Sequence, residues 1–175
     1  MRRLVNAGST IDLYSKHLDL KMDESVVDLA CGVGELCSRV PGDYFGIDNN
    51  KDYINFAKGR YSGKFACADI FKYKYKKYDV AICSCTLHHF DDKDNIRILK
   101  LMSRIAKRAY IVDGLPGKTL LQKLFVKFDK GKYFRTLGHQ RLLIEKYFNI
   151  EEETELVTPS GSVRLIVYKL SNKKV

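Results

Sequence analysis

Four apolar runs in the first half of the chain each end in residues able to do chemistry. The first ends in Asp28-Leu29-Ala30-Cys31-Gly32-Val33-Gly34 and the second in Asp48-Asn49. The third ends in Asp69-Ile70 and the fourth in Ser84-Cys85-Thr86-Leu87-His88-His89. Two glycines two apart let the backbone turn sharply and approach a ligand closely. A helix starting there presents unpaired N–H groups, which suit a phosphate or the carboxylate of an amino-acid-like ligand. A carboxylate ending the second run can accept both hydroxyls of a ribose. One ending the third can accept from an exocyclic adenine amine. Singly these signals are common, since Asp at a strand end is often a cap or turn former. In this order they read as a nucleotide site.

His88 and His89 follow the fourth run directly. An imidazole titrates near neutrality, so either suits a general base; the competing role is to shape the loop or stack on a substrate. Cys83 and Cys85 stand beside them, but the cysteine spacings match no zinc pattern and no second pair exists, so no metal is expected. A dinucleotide fingerprint, Gly-x-Gly-x-x-Gly, would want glycine at position 37, where Cys37 stands.

The elements that must position these residues alternate between strand and helix. Ser9 or Thr10 can cap a helix over 9–18, with Ile11, Tyr14 and Leu18 on one face. Strands are predicted at 25–30, 44–48, 64–68, 78–84 and 109–113. A short helix from Gly34 stops at Pro41-Gly42, and a second helix covers 51–60. A long one starts at Asp91-Asp92 with Ile98, Leu101, Met102 and Ile105 on one face, and Lys107 and Arg108 at its end complement its dipole. Helices follow at 117–128 and 138–147, then strands at 150–157 and 162–170 joined by Thr158-Pro159-Ser160-Gly161. This alternation predicts an α/β fold: a doubly wound, mostly parallel seven-stranded sheet with an antiparallel last strand and helices on both faces. Its site should lie outside the carboxyl ends of the strands, where strand order reverses.

At 175 residues the chain is expected to be a single domain. No run is long enough to span a bilayer. Met1-Arg2-Arg3-Leu4 lacks a following apolar region and cleavage site, so a cytoplasmic protein with reduced cysteines is expected. The net charge of +10 invites an anionic partner, nucleic acid or acidic membrane among them, or merely keeps the chain in solution. The densest cluster, Lys72-Tyr73-Lys74-Tyr75-Lys76-Lys77, interleaves rings and cations as nucleic-acid surfaces do. It also falls where a solvated strand connection is needed.

Val26–Leu36 resembles motif I of class I S-adenosylmethionine (SAM)-dependent methyltransferases. Gly46-Ile47-Asp48-Asn49 resembles that family's acidic motif, Cys67-Ala68-Asp69-Ile70 its adenine-contacting motif, and Tyr78–Phe90 the fourth motif of the small-molecule, ubiquinone-biosynthesis-like (type 11) branch. The resemblance covers about residues 20–170. It implies SAM as cofactor and S-adenosylhomocysteine (SAH) as product, with methyl transfer by in-line displacement. It places Asp28, Ala30, Gly32 and Gly34 around the methionine part and Asp48 and Asn49 at the ribose. Asp69 and Ile70 fall at the adenine, and Ser84 and Cys85 on the methionine side. Ala30 stands where the family more often has glycine. Only thirteen residues separate Gly34 from Asp48, which could set the acid slightly off its usual place.

The chain lacks the Asn/Asp-Pro-Pro-aromatic motif of adenine-N6 enzymes and the Pro-Cys of cytosine-C5 enzymes. The acceptor expected is therefore a small or medium-sized apolar or aromatic molecule, methylated on O, N or C. Residues 1–20 would form an N-terminal lid helix and 114–147 a helical insert capping the substrate. Tyr14, Tyr133, Arg135 and His139 are the candidate substrate contacts, and His88 and His89 the catalytic ones. Two alternatives stay open: an RNA or protein substrate met by the basic surface, or a non-catalytic partner protein on this fold.

Overall fold

The computed structural model describes residues 7–173; Met1-Arg2-Arg3-Leu4, read above for a leader, lies outside them. Seven strands form one sheet: β1 (Ser25–Leu29), β2 (Asp43–Asp48), β3 (Lys64–Cys67), β4 (Tyr78–Ser84), β5 (Ala106–Gly114), β6 (Phe148–Val157) and β7 (Arg164–Asn172). Their order is β3-β2-β1-β4-β5-β7-β6. β1 to β5 pair in parallel, and β7 runs antiparallel between β5 and β6. The chain works outward from β1 to β3, then crosses back to β4. The order therefore reverses between β1 and β4, the switch point outside which open α/β sheets bind their ligands.

Side chains alternate across the strands, so each central strand feeds two cores. Val26, Val80, Ile82, Tyr110 and Val112 point to one face. There α1 (Ala7–Ser15), a 3₁₀ turn (Glu35–Arg39) and α2 (Lys51–Arg60) deliver Tyr14, Leu36, Ile54 and Ala57. Val27, Leu29, Ala81, Cys83 and Ile111 point to the other face, where α3 (Asp92–Ile105) and α5 (Leu137–Ile144) deliver Ile98, Leu99, Met102, Leu143 and Ile144. α4 (Leu120–Phe128) buries only Gln122. At the outer edge β6 exposes Glu151, Glu152 and Glu153, charges that discourage pairing with a further strand.

Local signals set most boundaries. Asn50 caps α2 by accepting from the N–H groups of Asp52 and Tyr53. Asp91 caps α3 by accepting from Asp94 N–H, and Thr119 forms a capping box with Gln122 ahead of α4. Four expectations change. α1 begins at Ala7, so Thr10 lies inside it. The helix expected after Gly34 is only a 3₁₀ turn, cut short by Pro41-Gly42. α4 starts at Leu120. Lys107 and Arg108 do not end α3: the helix stops at Ile105 and both lie in β5. Lys107 pairs with Asp79 (2.6 Å) and Arg108 with Glu24 (2.7 Å). The ladder with β4 claims this backbone from Ala106 onward.

Candidate active site

The carboxyl ends of β2, β1 and β4 lie side by side at the switch point, with β3 beyond β2. After β1 the backbone takes the left-handed region at Ala30 (φ 57°), Gly32 (57°) and Gly34 (75°). That folds the chain back over the sheet edge at a steric cost which falls on Ala30, the residue with a Cβ. A Cβ on Gly34 would lie 2.6 Å from the Phe65 ring and 2.9 Å from Ala57 Cβ, whereas one on Gly32 would meet nothing within 4 Å. Gly34 is thus required by packing, whereas the space beside the Gly32 Cα is open.

Asp28 is buried at the end of β1. Its Oδ2 accepts from the Tyr44 hydroxyl (2.7 Å), and its Oδ1 is buried without a hydrogen-bond partner. Burial pushes its pKa up to about 7, against the Tyr44 hydrogen bond, and the nearby Asp48 charge adds to the rise. Asp48 accepts from the N–H of Gly32 (2.9 Å) and of Asn50 (2.9 Å), tying the end of β2 to the glycine loop. A thirteen-residue connection therefore still delivers the acid to the loop. Asn49 beside it is exposed. Asp69 is exposed and accepts from Phe71 N–H (2.8 Å), and Ile70 is buried beneath it. Ser84 ends β4, and Cys85 follows it with positive φ (50°). Tyr14 of α1 is buried over this end. Burial raises its pKa, and its hydroxyl hydrogen-bonds Ser84 near Cys85, Asp28 and Glu35.

His88 is held on both sides. Its Nδ1 lies 2.5 Å from Asp113 Oδ1 at the end of β5, and its Nε2 lies 3.6 Å from Asp129 Oδ1. Its ring stacks on Phe134 (4.6 Å) and lies against His89 (4.3 Å). Burial opposes its charge, but the bonds to Asp113 and Asp129 outweigh that and raise its pKa to about 9. The same contact holds Asp129 down at about 2. Near neutrality His88 is an imidazolium between two carboxylates, a poor proton acceptor. Gly131 packs against it, and Tyr133 N–H donates to its carbonyl (2.9 Å).

The four expected substrate contacts do not form one group. Tyr14 sits on the Ser84 side. Arg135 is buried, pairs with Asp92 (2.7 Å) and donates to the carbonyls of Leu87, Phe90 and Tyr133. His139 also pairs with Asp92 (2.8 Å), and Tyr133 is exposed. Three residues missing from the sequence reading matter here. Asp113 carries the same signal as the others, a carboxylate closing an apolar run. Asp129 and Tyr44 carry none, because only folding brings them to their partners.

The orphaned Asp28 oxygen and the open backbone at Gly32 fit a ligand with an amino-acid end. The carboxylates of Asp48 and Asp69 fit its ribose and adenine. Residues 20–115 match the model of a family described as a methyltransferase domain. No curated protein matches the chain by sequence. Among solved structures, magnesium protoporphyrin IX methyltransferase from Synechocystis PCC 6803 with bound SAH is similar with a TM-score of 0.71. It is 18% identical over 95% of this chain and 81% of that one. A TehB-like SAM-dependent methyltransferase from Corynebacterium glutamicum gives 0.69 at 17% identity, covering 98% and 94%. Human N-acetylserotonin methyltransferase in complex with SAM gives 0.71 at 19%, covering 96% of this chain but 52% of that one.

Proposed function

The chain belongs to the methyltransferase-domain family, with SAM as its cofactor, and from that premise we propose that it methylates a small or medium-sized apolar or aromatic molecule on O, N or C. The observation that supports the cofactor's placement is Asp28 Oδ1, a buried oxygen with no partner at the end of β1, ahead of a glycine loop with open space beside the Gly32 Cα. An ammonium group there would satisfy the oxygen and let the carboxyl ionise. Asp28, Ala30, Gly32 and Gly34 then surround the methionine end, with Ser84 and Cys85 beside them. Asp48 and Asn49 hold the ribose, and Asp69 and Ile70 the adenine.

Bound SAM supplies a methyl group already activated by the sulfonium, so the protein's work is alignment. Positioning alone can supply about 7–11 kcal/mol of barrier reduction. Tyr14 bridges the N-terminal lid helix to Ser84 on the methionine side. His88 is a positioning residue: it draws Asp113 of the sheet and Asp129 of the insert together and so holds the 114–147 cap over the β4 end. The acceptor-side role falls in this reading to His89, half-buried and packed against His88 (4.3 Å). Tyr133 is exposed and available to an acceptor, and Arg135 and His139 act through Asp92 to fix the cap.

Calorimetric titration with SAM, SAH and NAD tests the cofactor. Micromolar-range binding of SAM and SAH, absent with NAD and weakened at least about tenfold in Asp28→Asn or Asp48→Ala, is expected. No binding of SAM or SAH by the folded protein would sink the reading. Transfer of labelled methyl from SAM to a panel of phenolic and apolar acceptors then tests the substrate class.

A further inference from the structure

We propose that α4 is an interfacial helix that docks the protein on an anionic lipid bilayer. Leu120, Leu121, Leu124, Phe125 and Phe128 are all exposed, Leu120 at 76% and Phe128 at 79%. At about 100° per residue they fall within an arc of roughly 140° on one side of the helix. Gln122, the residue α4 buries, points the opposite way, where its side chain accepts from the N–H of Lys118 (2.9 Å) and donates to the Gly161 carbonyl (3.1 Å). The apolar face is thus turned away from both cores.

The charge around the face names the partner. Between residues 118 and 132 the chain has five lysines and one carboxylate. That carboxylate, Asp129, faces His88 and accepts from Gly131 N–H (2.6 Å), so it is not spent on the lysines. Lys118 lies 3.8 Å from Glu155. Lys123, Lys127, Lys130 and Lys132 are exposed, Lys123 and Lys127 along one margin of the apolar arc. An apolar face bordered by lysines matches acyl chains under anionic headgroups. No helix among the described residues is long and apolar enough to cross a membrane, so α4 would lie in the headgroup plane.

The chain contains no tryptophan, so Phe128→Trp creates a single reporter without disturbing a core. Vesicles of phosphatidylcholine with 30% phosphatidylglycerol should shift its emission to the blue and co-sediment the full chain. Pure phosphatidylcholine should bind at least about tenfold more weakly. Lys123→Glu with Lys127→Glu should abolish the preference for anionic vesicles. Leu124→Ser with Phe125→Ser should abolish binding to both, with circular dichroism melting unchanged in each variant. Absence of co-sedimentation with anionic vesicles, or binding unaffected by the Leu124 and Phe125 changes, overturns the proposal. So does a dimer in sedimentation analysis that those changes dissolve without any vesicle binding.

Discussion

Asp28 and His88 are both buried ionisable groups, and the molecule treats them differently. Asp28 retains an oxygen for which the protein offers no partner, while His88 is supplied with two carboxylates. The His88 pKa rises from 6.5 to about 9 on folding. Its contribution is therefore fully present below pH 6.5 and is lost as pH rises towards 9. It amounts to roughly 3 kcal/mol. Thermal melts from pH 6.5 to 9 should show stability falling with pH, and His88→Gln should remove most of that slope. The two glycines separate packing from binding. Gly34→Ala adds left-handed strain of about 1–2 kcal/mol and overpacking of about 1–3 kcal/mol against Phe65 and Ala57. Gly32→Ala adds the strain alone. Urea unfolding should rank Gly34→Ala as the more damaging, whereas calorimetry should show Gly32→Ala losing SAM affinity while still folded.

Arg135 does most to fasten one element to another. It is buried and joins the segment before α5 to the turn after β4 through Asp92 and the carbonyls of Leu87 and Phe90, and it also holds the Tyr133 carbonyl of its own segment. Arg135→Ala would leave the Tyr133 carbonyl without its donor and Asp92 without its buried guanidinium partner, while Asn95 still donates to the Leu87 and Phe90 carbonyls, and should cost about 1–3 kcal/mol. Hydrogen exchange should then show residues 129–135 opening well before β1, β4 and β5. Arg135 and His139 were legible as polar residues of the insert, but their pairing with Asp92 was not. Asp92 is 43 residues from Arg135, and its sequence signal is fully accounted for by the start of a helix. Lys107 and Arg108 show the reverse failure. A cation after a helical pattern reads as a dipole partner, and only the β4 ladder and Glu24 reassign it. Part of the lysine-tyrosine cluster also has partners that the sequence pattern does not show. Tyr73 packs on Phe45 and Tyr75, and Lys76 pairs with Asp43.

Across the whole molecule, one sheet holds two cores and carries the site on its rim. A ligand that bridges the β1, β2, β3 and β4 ends should stiffen the entire domain. At a SAM concentration one hundred times its dissociation constant the stabilisation is about 2.7 kcal/mol. For a domain of this length that should raise the melting temperature by roughly 5–11 °C. NAD should leave it unchanged. Differential scanning calorimetry with and without each compound measures this directly.

The sequence by itself determined the alternation of strands and helices, the parallel sheet with its antiparallel last strand, and the four strand ends that carry Asp28, Asp48, Asp69 and Ser84. Those features rest on local periodicity, turn residues and caps, which neighbours in the chain can specify. Only the tertiary structure decided which charges are spent on one another. It put Asp113 and Asp129 on either side of His88, turned Arg135 and His139 to Asp92, and left Asp28 with an unmet oxygen. It also turned the apolar face of α4 outward, although its spacing equally suits burial. Partners and burial are set by approaches between residues far apart in the chain, and no local pattern encodes them.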